Sequence, residues 1–197
     1  MKKFFTFLAG AIALASVASS CGTSVSMSKI GEVEPALVGV WVSENFIDNA
    51  SDTTSADGTG ITCDRYTFNA DGTFTQEGYL KMEMRDSTEV TNIDISFSGA
   101  GYYGIADGKI NFKFNAKDGK STLDRFDMVF LDGTSESDTS MAKSILNFLL
   151  VRPLVSTMKK TMKKDQIYIL NSLSADSFEM TNSSSSDSTP TKYIKQQ

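Results

Sequence analysis

Residues 66–75 read YTFNADGTFT. Apolar residues alternate with polar ones on both sides of Asp71-Gly72, the pattern of two half-buried antiparallel strands joined by a tight turn, because Asp-Gly tolerates the positive φ that hairpin turns require. Phe68 and Phe74 then fall on one face across that turn. The same dipeptide recurs at 57–58, 107–108, 118–119 and 132–133, so the hairpin is one of a series. Downstream, Phe74, Leu80, Met82 and Met84 share a parity, whereas Glu77, Lys81 and Glu83 take the other. A strand with one face on a core and one in water needs this arrangement. The same test selects Ile93, Ile95, Phe97, Tyr103 and Ile105, and then Ile110, Phe112 and Phe114. Strands are predicted at 37–46, 61–69, 73–84, 92–105, 109–115, 122–131, 166–171, 176–182 and 191–195. The fold class is all-β, and eight or nine consecutive antiparallel strands curl into a barrel or a sandwich.

One segment departs from period two. Met141, Ile145, Leu149, Leu154, Met158 and Met162 recur at near-helical spacing within 139–164, with Ser137, Asp138 or Thr139 available as N-cap. Pro153 predicts a kink or two short helices. The run ends MKKTMKKD (158–165), where Lys159, Lys160, Lys163 and Lys164 complement the helix C-terminal dipole. Its basic face suits solvent, or else anionic lipid head groups. This helical insertion stands before the last strands.

Composition narrows the chemistry. The chain has 197 residues, 40% of them hydrophobic, enough for one domain with a sizeable core. Lys and Arg number 19 against 24 Asp and Glu, which argues against a nucleic-acid surface. Histidine is absent, so Ser-His-Asp and Cys-His nucleophile systems and His-liganded zinc are excluded. Two cysteines, Cys21 and Cys63, build neither a disulfide framework nor a thiolate cage, and Cys63 reads as a buried, unpaired thiol near a bulge. No metal or other cofactor is implied.

Residues 1–21, MKKFFTFLAGAIALASVASSC, combine two lysines, an apolar run and small residues before Cys21. Residues 1–20 therefore read as a signal peptide, too short and too interrupted for a good membrane span. Small residues followed directly by cysteine resemble the lipobox of bacterial lipoproteins. That resemblance implies acylation of Cys21 and a lipid anchor in the membrane, since two or three acyl chains hold where one binds only marginally. Loss of Lys2 and Lys3 with the signal takes the net charge from −5 to −7. Gly22 in place of a retention aspartate points to the outer membrane. GTSVSMSK (22–29) lacks the acidic cluster of surface-exported lipoproteins, which points to the periplasmic face. Residues 21–35 read as a Ser-rich tether, and 36–197 as the folded domain.

LVGVW (37–41), YTFNADGTFT (66–75), GYYGIADGKINFKF (101–114), IYILNSLSADSFEM (167–180) and TKYIK (191–195) resemble the lipocalin-like domains of Bacteroidetes-type lipoproteins. The resemblance runs from Leu37 to Lys195. It implies an up-and-down β-barrel with an internal cavity for a small apolar or amphipathic ligand. Trp41 of the Gly-x-Trp element would plug the barrel floor, and Lys192 or Lys195 would stand over it in place of arginine.

Candidate ligand-lining residues are Met82, Met84, Tyr103, Phe112, Phe114, Met128 and Phe130, an adaptable apolar set with the Tyr103 hydroxyl as polar handle. Catalytic signals are weak. Ser156 and Lys159 have the spacing of Ser-x-x-Lys, but the companion elements of that machinery are missing. Asn69, Asp71 and Gly72 lack the rest of a calcium loop and read as a turn. Glu77 with Glu83, and Asp124 with Asp127, sit on presumed outer positions. The reading is therefore non-enzymatic. Triplets at 52–54, 86–88 and 187–189 resemble O-glycosylation acceptors in loops. Two functions remain: a periplasmic lipoprotein that binds a ligand in its barrel, or a structural one whose filled barrel docks an envelope protein partner of unspecified identity. Cavity against close packing separates them.

Overall fold

The computed structural model describes residues 30–44, 61–85, 87, 89–131, 136–184 and 189–196, with backbone alone at 61–63 and 136–139. The signal peptide, Cys21, most of the tether, the Cys63 side chain, Asp-Gly 57–58 and 132–133, and all or part of each Asp-Ser/Thr-Thr triplet lie outside the described residues.

Nine strands form: β1 (Gly39–Ser43), β2 (Ile61–Phe68), β3 (Thr73–Arg85), β4 (Glu89–Ala106), β5 (Lys109–Phe114), β6 (Lys120–Phe130), β7 (Gln166–Leu173), β8 (Ser177–Asn182) and β9 (Thr191–Lys195). Eight of them, β1-β2-β3-β4-β5-β7-β8-β9, close an antiparallel barrel through the β9–β1 pairing, in which Trp41 faces Lys195. The ninth, β6, leaves the wall. The far edge of β4 is divided: Gly101–Ala106 pairs with β5, and Glu89–Ser98 pairs with β6. Beyond the barrel, β3, β4 and β6 form an extension covered on one face by a helical segment.

That segment runs α1 (Glu136–Leu146), a π turn (Asn147–Val151) and α2 (Arg152–Thr161). Of the kink or two short helices expected at Pro153, two helices form, joined by the π turn, and Pro153 is the second residue of α2. Proline has no N–H and crowds the carbonyl four residues back. The chain accommodates this by widening one turn, so that the Arg152 N–H reaches Asn147 O, five residues back.

The hairpin turns differ in kind. At Asp107-Gly108 both residues have positive φ, as a two-residue loop demands. At 69–73 only Gly72 does. There Gly72 N–H donates to Asn69 O (3.1 Å) and Asn69 N–H to Thr73 O (2.9 Å), so the loop is longer than the dipeptide suggested.

Burial separates two cores. The barrel holds Trp41, Tyr66, Phe68, Phe74, Phe112 and Phe178 among others. The extension holds Leu80, Met82, Met84, Ile93, Ile95 and Met128 beneath Leu146, Leu150, Val151 and Leu154. Alternation continues unbroken along β3, but the inward face passes from one core to the other after Gly78.

At the barrel floor Gly39 has φ +135°, and a Cβ there would lie 2.8 Å from Lys195 Cε. Gly39→Ala is therefore expected to destabilise the domain by roughly 1–3 kcal/mol, the usual cost of a side chain in a strained backbone region. Urea denaturation with an unchanged m-value checks it.

Candidate functional site

The barrel floor is built first. Pro35–Leu37 forms a single 3-10 turn, with the Glu34 carboxylate accepting from Ala36 N–H (3.2 Å). Leu37 O accepts the Trp41 indole N–H at 2.6 Å, which satisfies the one polar atom of a fully buried ring. Lys195 Nζ stands 5.0 Å from the indole centroid, and Phe178 meets the ring edge-on at 5.0 Å. Of the two lysines the sequence offered, Lys195 therefore supplies the cation. Lys192 pairs with Glu44 instead (3.4 Å).

Above the floor the interior is tiled by rings. Phe112, fully buried, has Phe74 at 4.9 Å, Tyr66 at 5.3 Å, Tyr168 at 5.7 Å and Phe68 at 6.0 Å between centroids. Phe114 closes on Phe74 at 5.0 Å, and Tyr103 on Phe68 at 4.6 Å. These are contact separations for aromatic pairs. The Tyr103 hydroxyl does not point into the barrel as a polar handle; it donates to Asn69 O in the hairpin turn (3.1 Å).

The seven proposed lining residues are divided. Tyr103, Phe112 and Phe114 lie in the barrel core. Met82, Met84 and Met128 lie in the second core, with Phe130 half-buried at its edge. The parity argument identified their common face but not the layer above it.

A polar cluster that the sequence analysis did not single out sits where β1, β2, β3 and β9 meet, beyond Tyr66. Asp64 is buried, and its Oδ1 accepts from the Tyr193 hydroxyl (2.9 Å) and Oδ2 from Gln76 Nε2 (2.7 Å). Its backbone N–H donates to Ser43 Oγ (3.1 Å). Gln76, 4% exposed, leaves Oε1 with no partner. Burial pushes the Asp64 carboxyl up to about 6, against hydrogen bonds from Gln76, Tyr193 and Tyr66 that favour its charged form. Burial and the neighbouring carboxylate hold the Tyr66 and Tyr193 hydroxyls well above their ordinary range, so both remain neutral donors. No ion pair among the described residues includes Asp64. The pattern did hold a signal: Asp64 shares parity with Tyr66 and Phe68, and Gln76 with Phe74, so both point inward.

The arrangement offers acceptors, a carboxylate and an amide oxygen, beside an aromatic wall. Among the described residues no three His, Cys, Asp or Glu side chains converge to hold a metal ion. Glu77 and Asp124 occupy the outer sheet face, and Ser96 Oγ donates to Asp124 (3.1 Å). No protein-family model matches the chain, and no curated protein matches it.

The raised Asp64 pKa has a sign for stability. The folded state binds this proton more tightly than the unfolded chain, whose value is near 3.8, so the contribution is full below about pH 4 and is lost as pH rises through 6. The loss is on the order of 3 kcal/mol. Asp64→Asn is expected to flatten that part of the profile, as urea midpoints from pH 4 to 8 will show.

Proposed function

We propose that this chain is an envelope lipoprotein acylated at Cys21 and held at the periplasmic face of the outer membrane, and that its barrel is a packed scaffold for interaction. The fold is an antiparallel barrel, the architecture of lipocalin-like domains. The observation that favours scaffold over carrier is the ring packing around Phe112, which uses for cohesion the residues a cavity would need as lining. A filled barrel acts through its outside. The covered extension of β3, β4 and β6, with its helices, is the largest addition to the eight-stranded wall.

A second reading rests on Gln76 Oε1. An unpartnered buried acceptor beside a buried carboxylate suits a small amphipathic ligand whose donor group meets Asp64 and Gln76 and whose apolar part meets the rings.

Native mass spectrometry of the protein isolated from membranes tests the pair. The scaffold reading expects the acylated chain with no further adduct; a small molecule retained by wild type and lost in Gln76→Leu supports the carrier. Phe112→Trp adds volume to a full interior and is expected to destabilise by roughly 1–3 kcal/mol. Fatty-acid labelling that persists in Cys21→Ala would remove the anchor.

A further inference from the structure

The helical segment is apolar on two faces. Leu146, Leu150, Val151 and Leu154 are buried against the sheet. On the other side Met141, Ile145, Phe148 and Leu149, spaced i, i+4, i+7 and i+8, lie together in the open, with Met141 63% and Phe148 67% exposed. A helix apolar on more than its core-facing stripe normally lies within a core or against lipid. Exposed apolar residues grouped in this way mark a contact surface.

Charge identifies the partner. From Glu136 to Asp165 six cations stand against three acids, Glu136 and Asp138 in the first turn of α1 and Asp165 beyond α2, so the layer is net basic in a chain of net charge −5. Arg152, Lys159 and Lys160 continue the exposed face beyond the apolar stripe, and Lys163 and Lys164 follow at the end of α2. Lys143 is engaged with the Phe126 ring at 5.5 Å and is not counted with them. On β3, β4 and β6 the side of the sheet away from the helices mixes signs: Glu83 pairs with Arg85, Asp127 with Arg125, and Asp94 stands in register between Lys81 and Arg125. The domain thus has one basic, apolar-striped side and a charge-balanced back. An anionic bilayer fits the first and gains nothing comparable from the second.

We infer that the α1–α2 layer lies on the membrane surface, with Met141, Ile145, Phe148 and Leu149 entering the boundary between head groups and acyl chains and the α2 lysines meeting anionic head groups. The inference rests on the anchoring proposed above. Eight residues lie between Cys21 and Ile30, whose carbonyl is held by Asn111 Nδ2 (3.0 Å). Even fully extended they span about 30 Å, roughly the diameter of a small domain. A tether of that length keeps the body at the bilayer and makes the choice of contacting face consequential.

The test uses the protein isolated from cells and reconstituted in vesicles of phosphatidylethanolamine with phosphatidylglycerol, or of phosphatidylcholine alone. Phe148→Trp places a reporter indole on the stripe, and wild type supplies the background of the buried Trp41. In the anionic vesicles the emission at position 148 is expected to shift to the blue and to be quenched at least twofold by brominated lipid. Replacing Lys159, Lys160, Lys163 and Lys164 with Gln is expected to abolish most of that quenching. Water-like, unquenched emission overturns the inference. So does a shift seen in intact envelopes but not in lipid vesicles, which would assign the stripe to a protein. Intact mass of the same sample separates the two proposals: acylated but unquenched protein leaves the anchor and removes the surface contact, whereas quenching without acylation removes the anchor and leaves the contact.

Discussion

Everything in this molecule depends on how the edge of β4 is shared. At 18 residues the strand is about 55 Å long, more than an eight-stranded barrel wall can use. One side pairs with β3 over thirteen consecutive residues. The other must be satisfied in two pieces, because a buried backbone N–H or C=O without a partner costs more than the bond it forgoes. The first piece takes β5 and closes the barrel. The second takes β6 and creates an open three-stranded sheet whose inner face then needs a cover. The helical segment supplies that cover, and two cores result where the alternation suggested one.

Most of the strand boundaries were legible in the sequence because parity is a local property: each side chain on one face demands another two residues on. The layer above that face is not local. Met82 and Met84 follow Phe74 on the same side of β3, yet whether a β-wall or a helix covers them depends on which strand pairs with β4 some forty residues later. In β6 the parity itself breaks. Leu123 and Phe126 both face the helices although they are three positions apart, and the register shift opposite Asp94 and Ile95 accommodates the extra residue at Asp124. The helix was legible for the opposite reason, since its spacing clashed with everything around it. Its π turn was not, because a proline states that one hydrogen bond is lost without saying which neighbouring turn will widen.

The polar cluster shows a different limit. Asp64 stands at an inward position of β2 and was readable as such, but an inward acid is notable only when its partners are known. Gln76 and Tyr193 come from strands 12 and 129 residues away. Their meeting follows from the β2–β3 register and from the closure of β9 on β1, not from any motif. Three neutral donors around the carboxylate explain how it stays charged inside an aromatic wall. The net result of burial against those bonds, a carboxyl raised to about 6, says that desolvation exceeds what they return.

The two cores impose unequal demands on the surface. The barrel core is ringed by its own strands, so its aromatic residues can be enclosed completely and its outer positions can be polar. The second core is a single sheet face under one helical layer, and that layer must present something on its far side. A soluble cover would carry threonine, glutamate and lysine there, as the outer positions of β3 do. Instead the far side carries methionine, isoleucine, phenylalanine and leucine, followed by an excess of cations. Stability of the second core requires only the inner stripe. The outer stripe lies outside that core, and it is the surface inferred above to meet the bilayer, beside the lysines of α2.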